Sequence, residues 1–270
     1  MSDSEAVPKY VLWPYTPSIA GSAIAAAVMF ILFGIHTFRL VKNRTWFCIP
    51  LVIGAACETI GYSARAAAHS NTKSTTPYII QSTLILLPPI LFAASIYMIL
   101  GRVMLRTGSA GYAVIRATWV TRIFVSGDIL CFLIQAGGAG MLVSGSGSNL
   151  GESIILAGLI LQIVIFAFFV AVAGIWHARL CAKPTTATAE VPWKRYVLCL
   201  YAASMCITIR NLCRVVEYGI GKDGYLLSHD WPLYVYDFLP MVVTLGVCVA
   251  WYDPNITPGR KTDIEFNARR

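Results

Sequence analysis

Residues 150–176 read LGESIILAGLILQIVIFAFFVAVAGIW, and this run decides the fold class. A helix needs about 20 mostly apolar residues to cross the hydrocarbon of a bilayer. The run is longer than that, and it is one of a series. Outward from it, the same template places spans near Pro17–Phe38, Trp46–Ala68, Tyr78–Leu100 and Trp119–Val143 on one side, and near Tyr196–Glu217 and Trp231–Tyr252 on the other. Composition agrees. Of 270 residues, 57% are hydrophobic and only 13% charged, against about 25% charged in soluble domains, and the mean hydropathy is +0.67. The sequence therefore describes an all-α, polytopic membrane protein, a bundle of seven transmembrane helices. No polar block is long enough to fold as a separate soluble domain. The expected organisation is an N-tail over residues 1–16, the helical domain over 17–252 and a C-tail over 253–270.

Lys and Arg in short loops set orientation. Fourteen fall after spans 1, 3 and 5 and in the C-tail, whereas Lys9, Lys73 and Lys222 occupy the opposite side. The N-terminus is thus expected outside and the C-terminus in the cytosol. The acidic start, Met1-Ser-Asp-Ser-Glu5, followed by a full-length span, reads as an uncleaved anchor rather than a signal peptide. The net charge of +8 is accounted for by this basic rim, which faces anionic lipid, and does not point to nucleic acid. All seven Trp lie near span ends, as in an interfacial belt. The eight Cys fall within or just beyond spans, which reads as reduced packing residues. Two sequons, at Asn43 and Asn255, lie on the expected cytosolic side. Ser144-Gly-Ser-Gly-Ser-Asn149 reads as a flexible outer loop.

Ionisable side chains in hydrocarbon are costly and mark partners or function. Glu58, Tyr62 and Arg65 are spaced i, i+4, i+7, so one face of span 2 carries all three. Arg210, Arg214 and Glu217 repeat that spacing on span 6. Asp128 and Gln135 lie seven apart on span 4, and span 7 carries Asp237. Arg65, Arg122, Arg210 and Arg214 balance Glu58, Asp128, Glu217 and Asp237, which suggests mutual partners around a polar cavity open to the outer leaflet. The competing reading is a buried ion-pair network that only fixes helix register. Arg122 is the weakest member, about 120° round from Asp128 and near enough to the span end to snorkel. In span 3, Pro88 and Pro89 remove two backbone donors and impose a kink, either a hinge or a static bend. Gly137, Gly138 and Gly140 allow close helix approach.

Other chemistries are disfavoured. His36, His69, His177 and His229 form no i, i+4 pair, so no metal is implied. Cys199, Cys206 and Cys213 recur every seven residues and read as packing. Gly219-Ile-Gly-Lys222 lacks the spacing of a phosphate-binding loop. No nucleophile set suggests an enzyme, no cofactor is implied, and His229-Asp230 reads as a solvated loop pair.

Several motifs occur together: Glu58-Thr-Ile-Gly-Tyr-Ser-Ala-Arg65, Pro89 with Ala93-Ala-Ser-Ile-Tyr-Met98 and Gly101-Arg102, Gly127-Asp128 with Gln135, Gly158-Leu159 with Gln162, Arg210-x3-Arg214-x2-Glu217-Tyr218, and Tyr236-Asp237. In this order, from Tyr10 to Pro254, the chain resembles the fungal RTA-like, lipid-translocating exporter family. Pro88 stands where that family commonly has Ala, and Asp230 where Glu is usual. The resemblance implies lipid translocation or efflux, resistance to toxic amphipathic compounds, sphingoid bases as one family substrate, and the plasma membrane as location.

Three functions compete. The first is a nucleotide-independent translocator of membrane lipid or an amphipathic small molecule, with Glu58, Asp128, Glu217 or Asp237 facing an amine and Arg210 or Arg214 facing a phosphate or carboxylate. The second is a seven-helix lipid receptor or sensor, limited by short loops and C-tail. An intramembrane enzyme ranks last.

Overall fold

The computed structural model describes residues 18–69, 75–144, 148–189, 191–220 and 229–253. Their helices are α1 (Ile19–Asn43), α2 (Ile49–Ala68), α3 (Thr75–Leu86), α4 (Pro88–Arg106), α5 (Ala117–Ser144), α6 (Ser148–Ala182), α7 (Trp193–Ile220) and α8 (Leu239–Cys248), the last led in by a π-helical turn, Leu233–Phe238. Seven helical stretches are long and apolar enough to cross a membrane, α3 and α4 together making the third. The chain is an integral, multi-pass membrane protein. The N-tail, the C-tail, the Gly219–Lys222 segment beyond Ile220 and the Asn255 sequon lie outside the described residues.

Helices extend past the expected spans where their ends are basic. α1 continues to Asn43 rather than Phe38, and α6 to Ala182 rather than Trp176; Lys42 and Arg179 in their last turns favour the negative end of the helix dipole. α1 begins at Ser18, whose hydroxyl accepts from the Gly21 N–H at 3.3 Å, and stops at Arg44 in the left-handed region. The expected Ser144–Asn149 loop is shorter than read, because α5 runs through Ser144 and α6 starts at Ser148.

α1 packs on α2 and α8, α2 on α3 and α4, α4 on α5 and α7, α5 on α6, α6 on α7, and α7 on α8. α4 is the central element, with almost every side chain from Pro88 to Met104 buried. Without a hydrophobic drive between helices in lipid, close backbone approach matters. At Gly138 an added Cβ would lie 2.8 Å from the Gly151 carbonyl oxygen, whereas Gly137 and Gly140 face open space. Of the three expected contact glycines, only Gly138 makes the contact.

The aromatic belt is also only partly as read. Trp46, Trp119 and Trp231 are at least half exposed, but Trp176, Trp193 and Trp251 are buried. Trp176 donates to Ser109 Oγ at 2.9 Å. It belongs to the core because α6 continues beyond it.

Candidate functional site

α7 and the π-helical turn build the centre. Arg210 Nε donates to Asp237 Oδ1 at 2.5 Å and Arg214 Nη2 to Asp237 Oδ2 at 2.5 Å, while Arg214 Nη1 reaches Glu217 Oε2 at 2.9 Å. The spacings on α7 place both guanidiniums on one face, and both oxygens of Asp237 are thereby taken. The turn is wound wider than an α-helix, with the Leu239 N–H bonding Tyr234 O, five residues back, just before Pro240. Leu233, Tyr236 and Asp237 all turn inward as a result.

The third wall comes from α2, α3 and α4. A normal helix would bond the N–H of residue 89 to the carbonyl of Ile85, but Pro89 has none. That freed oxygen accepts from Arg210 Nη2 at 3.0 Å. The proline pair breaks the third span at Leu87, as the sequence suggests, and supplies an acceptor for the site.

Glu58 and Tyr62 complete it. They are 1% and 0% exposed, and Glu58 Oε2 and Tyr62 Oη have no hydrogen-bond partner among the described residues. The charges acting most on Glu58 are Asp237, Arg210 and Arg214. Tyr62 packs between Phe238 and Tyr234, with ring centroids 5.5 and 6.5 Å away. Each buried ion costs several kcal/mol of desolvation and is tolerated only when paired. Asp237 and Glu217 are paired, and Glu58 is in no ion pair among the described residues. With all groups ionised, two arginines face three carboxylates, an excess of one negative charge.

Arg65 lies outside this triangle. It pairs with Asp230 and donates to Gln81 Oε1 at 2.9 Å. Asp230 also accepts from the Ser18 N–H at 3.0 Å. The solvated-loop reading of Asp230 is thereby corrected: it is the acid that neutralises Arg65 and ties the start of α1 to the end of the bundle.

Asp128 and Gln135 are not part of the cluster. Asp128 Oδ2 accepts from Tyr97 Oη at 2.8 Å, and Gln135 Nε2 donates to Gln162 Oε1 at 2.9 Å. α5 packs on α4 and α6, away from the π-helical turn. Gly158 makes room for Gln135, since a Cβ there would lie 2.7 Å from Gln135 Cγ. Arg122 instead lies over the Trp119 ring, 5.8 Å from its centroid. The four-against-four pairing expected from sequence is therefore corrected: Arg122 and Asp128 leave it and Asp230 enters.

The expected open cavity also differs from the conformation described. Arg210, Asp237, Glu58 and Arg65 are at most 2% exposed, Arg214 is 13% exposed and Asp230, the most accessible, 20%. Among the described residues, no group of His, Cys, Asp and Glu is arranged to hold a metal ion.

Sequence reasoning missed Gln81, Tyr97 and Asp230. For Asp230 a signal existed: an acid beside the mouth of a span, in a chain with an arginine one turn from the end of another.

A bundle of seven membrane-spanning helices closed around an arginine–carboxylate cluster defines a polytopic membrane protein with a polar intramembrane site. The family described as RTA1 like protein matches residues 51–260, and the chain belongs to that family. Among curated relatives, Protein RTM1 of Saccharomyces cerevisiae is 35% identical over 79% of this chain and 70% of its own length. Protoporphyrin uptake protein 1 of the same yeast is 33% identical over 87% and 90%. A sphingoid long-chain base transporter, RSB1, is 22% identical over 94% and 76%. No solved structure matches the chain.

Proposed function

We propose that this protein moves a cationic amphiphile across the bilayer without nucleotide, taking the headgroup at the Glu58 site while the chain stays in lipid. The observation that carries this reading is the buried Glu58 carboxyl without an ion pair, which, when ionised, leaves the cluster one negative charge in excess. One ammonium group would neutralise that excess and give Glu58 and Tyr62 their missing partner. Relatives named as a sphingoid-base transporter and a protoporphyrin uptake protein support a role in moving amphiphiles. The basic loops favour an N-terminus outside and a cytosolic C-terminus, and the family resemblance favours efflux at the plasma membrane.

The test is movement of a fluorescent sphingoid base between leaflets of liposomes holding the purified protein, without nucleotide. Wild type is expected to move it faster than empty liposomes, and Glu58→Gln, which keeps shape but removes charge, to lose that movement. Equal rates for both proteins would end the proposal. Glu58→Gln should be no less stable than wild type, because Glu58 makes no ion pair among the described residues that the amide would break.

A further inference from the structure

Asp128 occupies a different place and a different chemistry. It is the twelfth residue of a span covering Ala117–Leu142, so about 17 Å of helix separates it from one end. It is 1% exposed, and no described Lys or Arg lies within ion-pair distance of it. One oxygen accepts from Tyr97 at 2.8 Å; the other, Oδ1, is buried and has no partner.

The elements packed on α5 bring no cation to it. α6 has no ionisable side chain between Glu152 and His177. α4 offers Tyr97, with Arg102 turned onto the Phe47 ring at 4.4 Å and Arg106 a further turn away. On α5 itself the neighbours are Cys131, one turn on, and Arg122, which lies against Trp119. The rings of Phe124, Phe166 and Phe169 surround Tyr97, the closest centroid being 4.5 Å away. An ionised aspartate at a helix centre costs about 2.5–3.5 kcal/mol on insertion scales, and a buried carboxyl without a counter-charge neutralises instead.

We propose that Asp128 and Tyr97 form a proton-binding site at mid-membrane, separate from the Arg210–Asp237 cluster. The proton sits on Oδ1, the atom without a partner, while Oδ2 remains the acceptor for Tyr97. Loading and release change the charge of the interior by one without disturbing the ion pairs of α7. Gln135 and Gln162, two turns further along, continue the polar line from the site, and Gln135 Oε1 is itself without a partner.

The site is tested by infrared pH-difference spectroscopy of the full-length protein in lipid nanodiscs. A carbonyl band of protonated carboxylic acid is expected at neutral pH, with one component lost in Asp128→Asn, the same component retained in Glu58→Gln and shifted in frequency in Tyr97→Phe. A neutral-pH spectrum that Asp128→Asn leaves unchanged overturns the proposal. If Asp128→Asn does not fold, Tyr97→Phe decides: an unshifted band also overturns it. The measurement uses no lipid substrate, so its outcome is independent of whether the protein moves amphiphiles.

Discussion

Arg210 Nη2 donates to the main-chain carbonyl of Ile85 at 3.0 Å, an oxygen available because Pro89, four residues on, carries no N–H. A helix break in one span thus becomes the acceptor for a charge on another. The two prolines and the arginine act as one unit, and Gly61 helps it, since a Cβ there would come within 2.8 Å of Ile85 Cγ1.

Arg210→Ala leaves Asp237 buried with one partner instead of two. The expected loss is about 3–5 kcal/mol of folding stability, read as lost monodisperse protein in detergent. Arg210→Lys should recover only part of it, because one ammonium cannot reproduce a fork that reaches both Asp237 and Ile85. Full recovery by lysine would show that charge alone matters.

Arg65 and Asp230 make a second testable unit. Each single alanine variant should destabilise, and the double variant should cost less than the sum, with a coupling of about 0.5–3 kcal/mol. Additive effects in thermal unfolding would mean that the pair contributes nothing as a pair.

Neighbouring glycines on α5 should behave oppositely. Gly138→Ala puts a methyl against the Gly151 carbonyl and is expected to cost about 1–3 kcal/mol. Gly137→Ala meets open space and should stabilise the helix by about 0.5–1 kcal/mol. Matching melting temperatures for the two variants would contradict the α5–α6 contact.

If Asp128 loads a proton during transport, amphiphile movement in liposomes depends on the pH difference across the membrane in wild type and not in Asp128→Asn. A variant that keeps the full dependence would assign the proton to another residue.

The seven spans were legible because crossing a bilayer demands long apolar runs, a constraint written into every segment. The pairing of charges was less so. Spacing places Arg210, Arg214 and Glu217 on one face, and the structure brings them to Asp237 as that face requires. Spacing does not say which helix that face meets, so it groups Asp128 with arginines it does not approach, and hydropathy gives Tyr97, its partner, as an ordinary aromatic. Asp230 escapes the charge pattern because it sits beside a span rather than within one. The π-helical turn left no periodic trace, since six residues are too few to reveal a change of winding.

α1 is the least buried of the seven spans, yet it is held to the last span from end to end. The Ser18 N–H meets Asp230, Ser22 meets Tyr234 Oη at 3.0 Å, His36 bridges Tyr252 Oη at 2.8 Å and the Leu245 carbonyl at 3.1 Å, and Asn43 donates to the Tyr252 carbonyl at 2.5 Å. In hydrocarbon no water competes for the Ser22 and His36 bonds, so unzipping this seam means breaking them together. Under the proposed function, the first and last spans are expected to move together, as one plank, and a sideways gate for a lipid tail to lie at another joint of the ring.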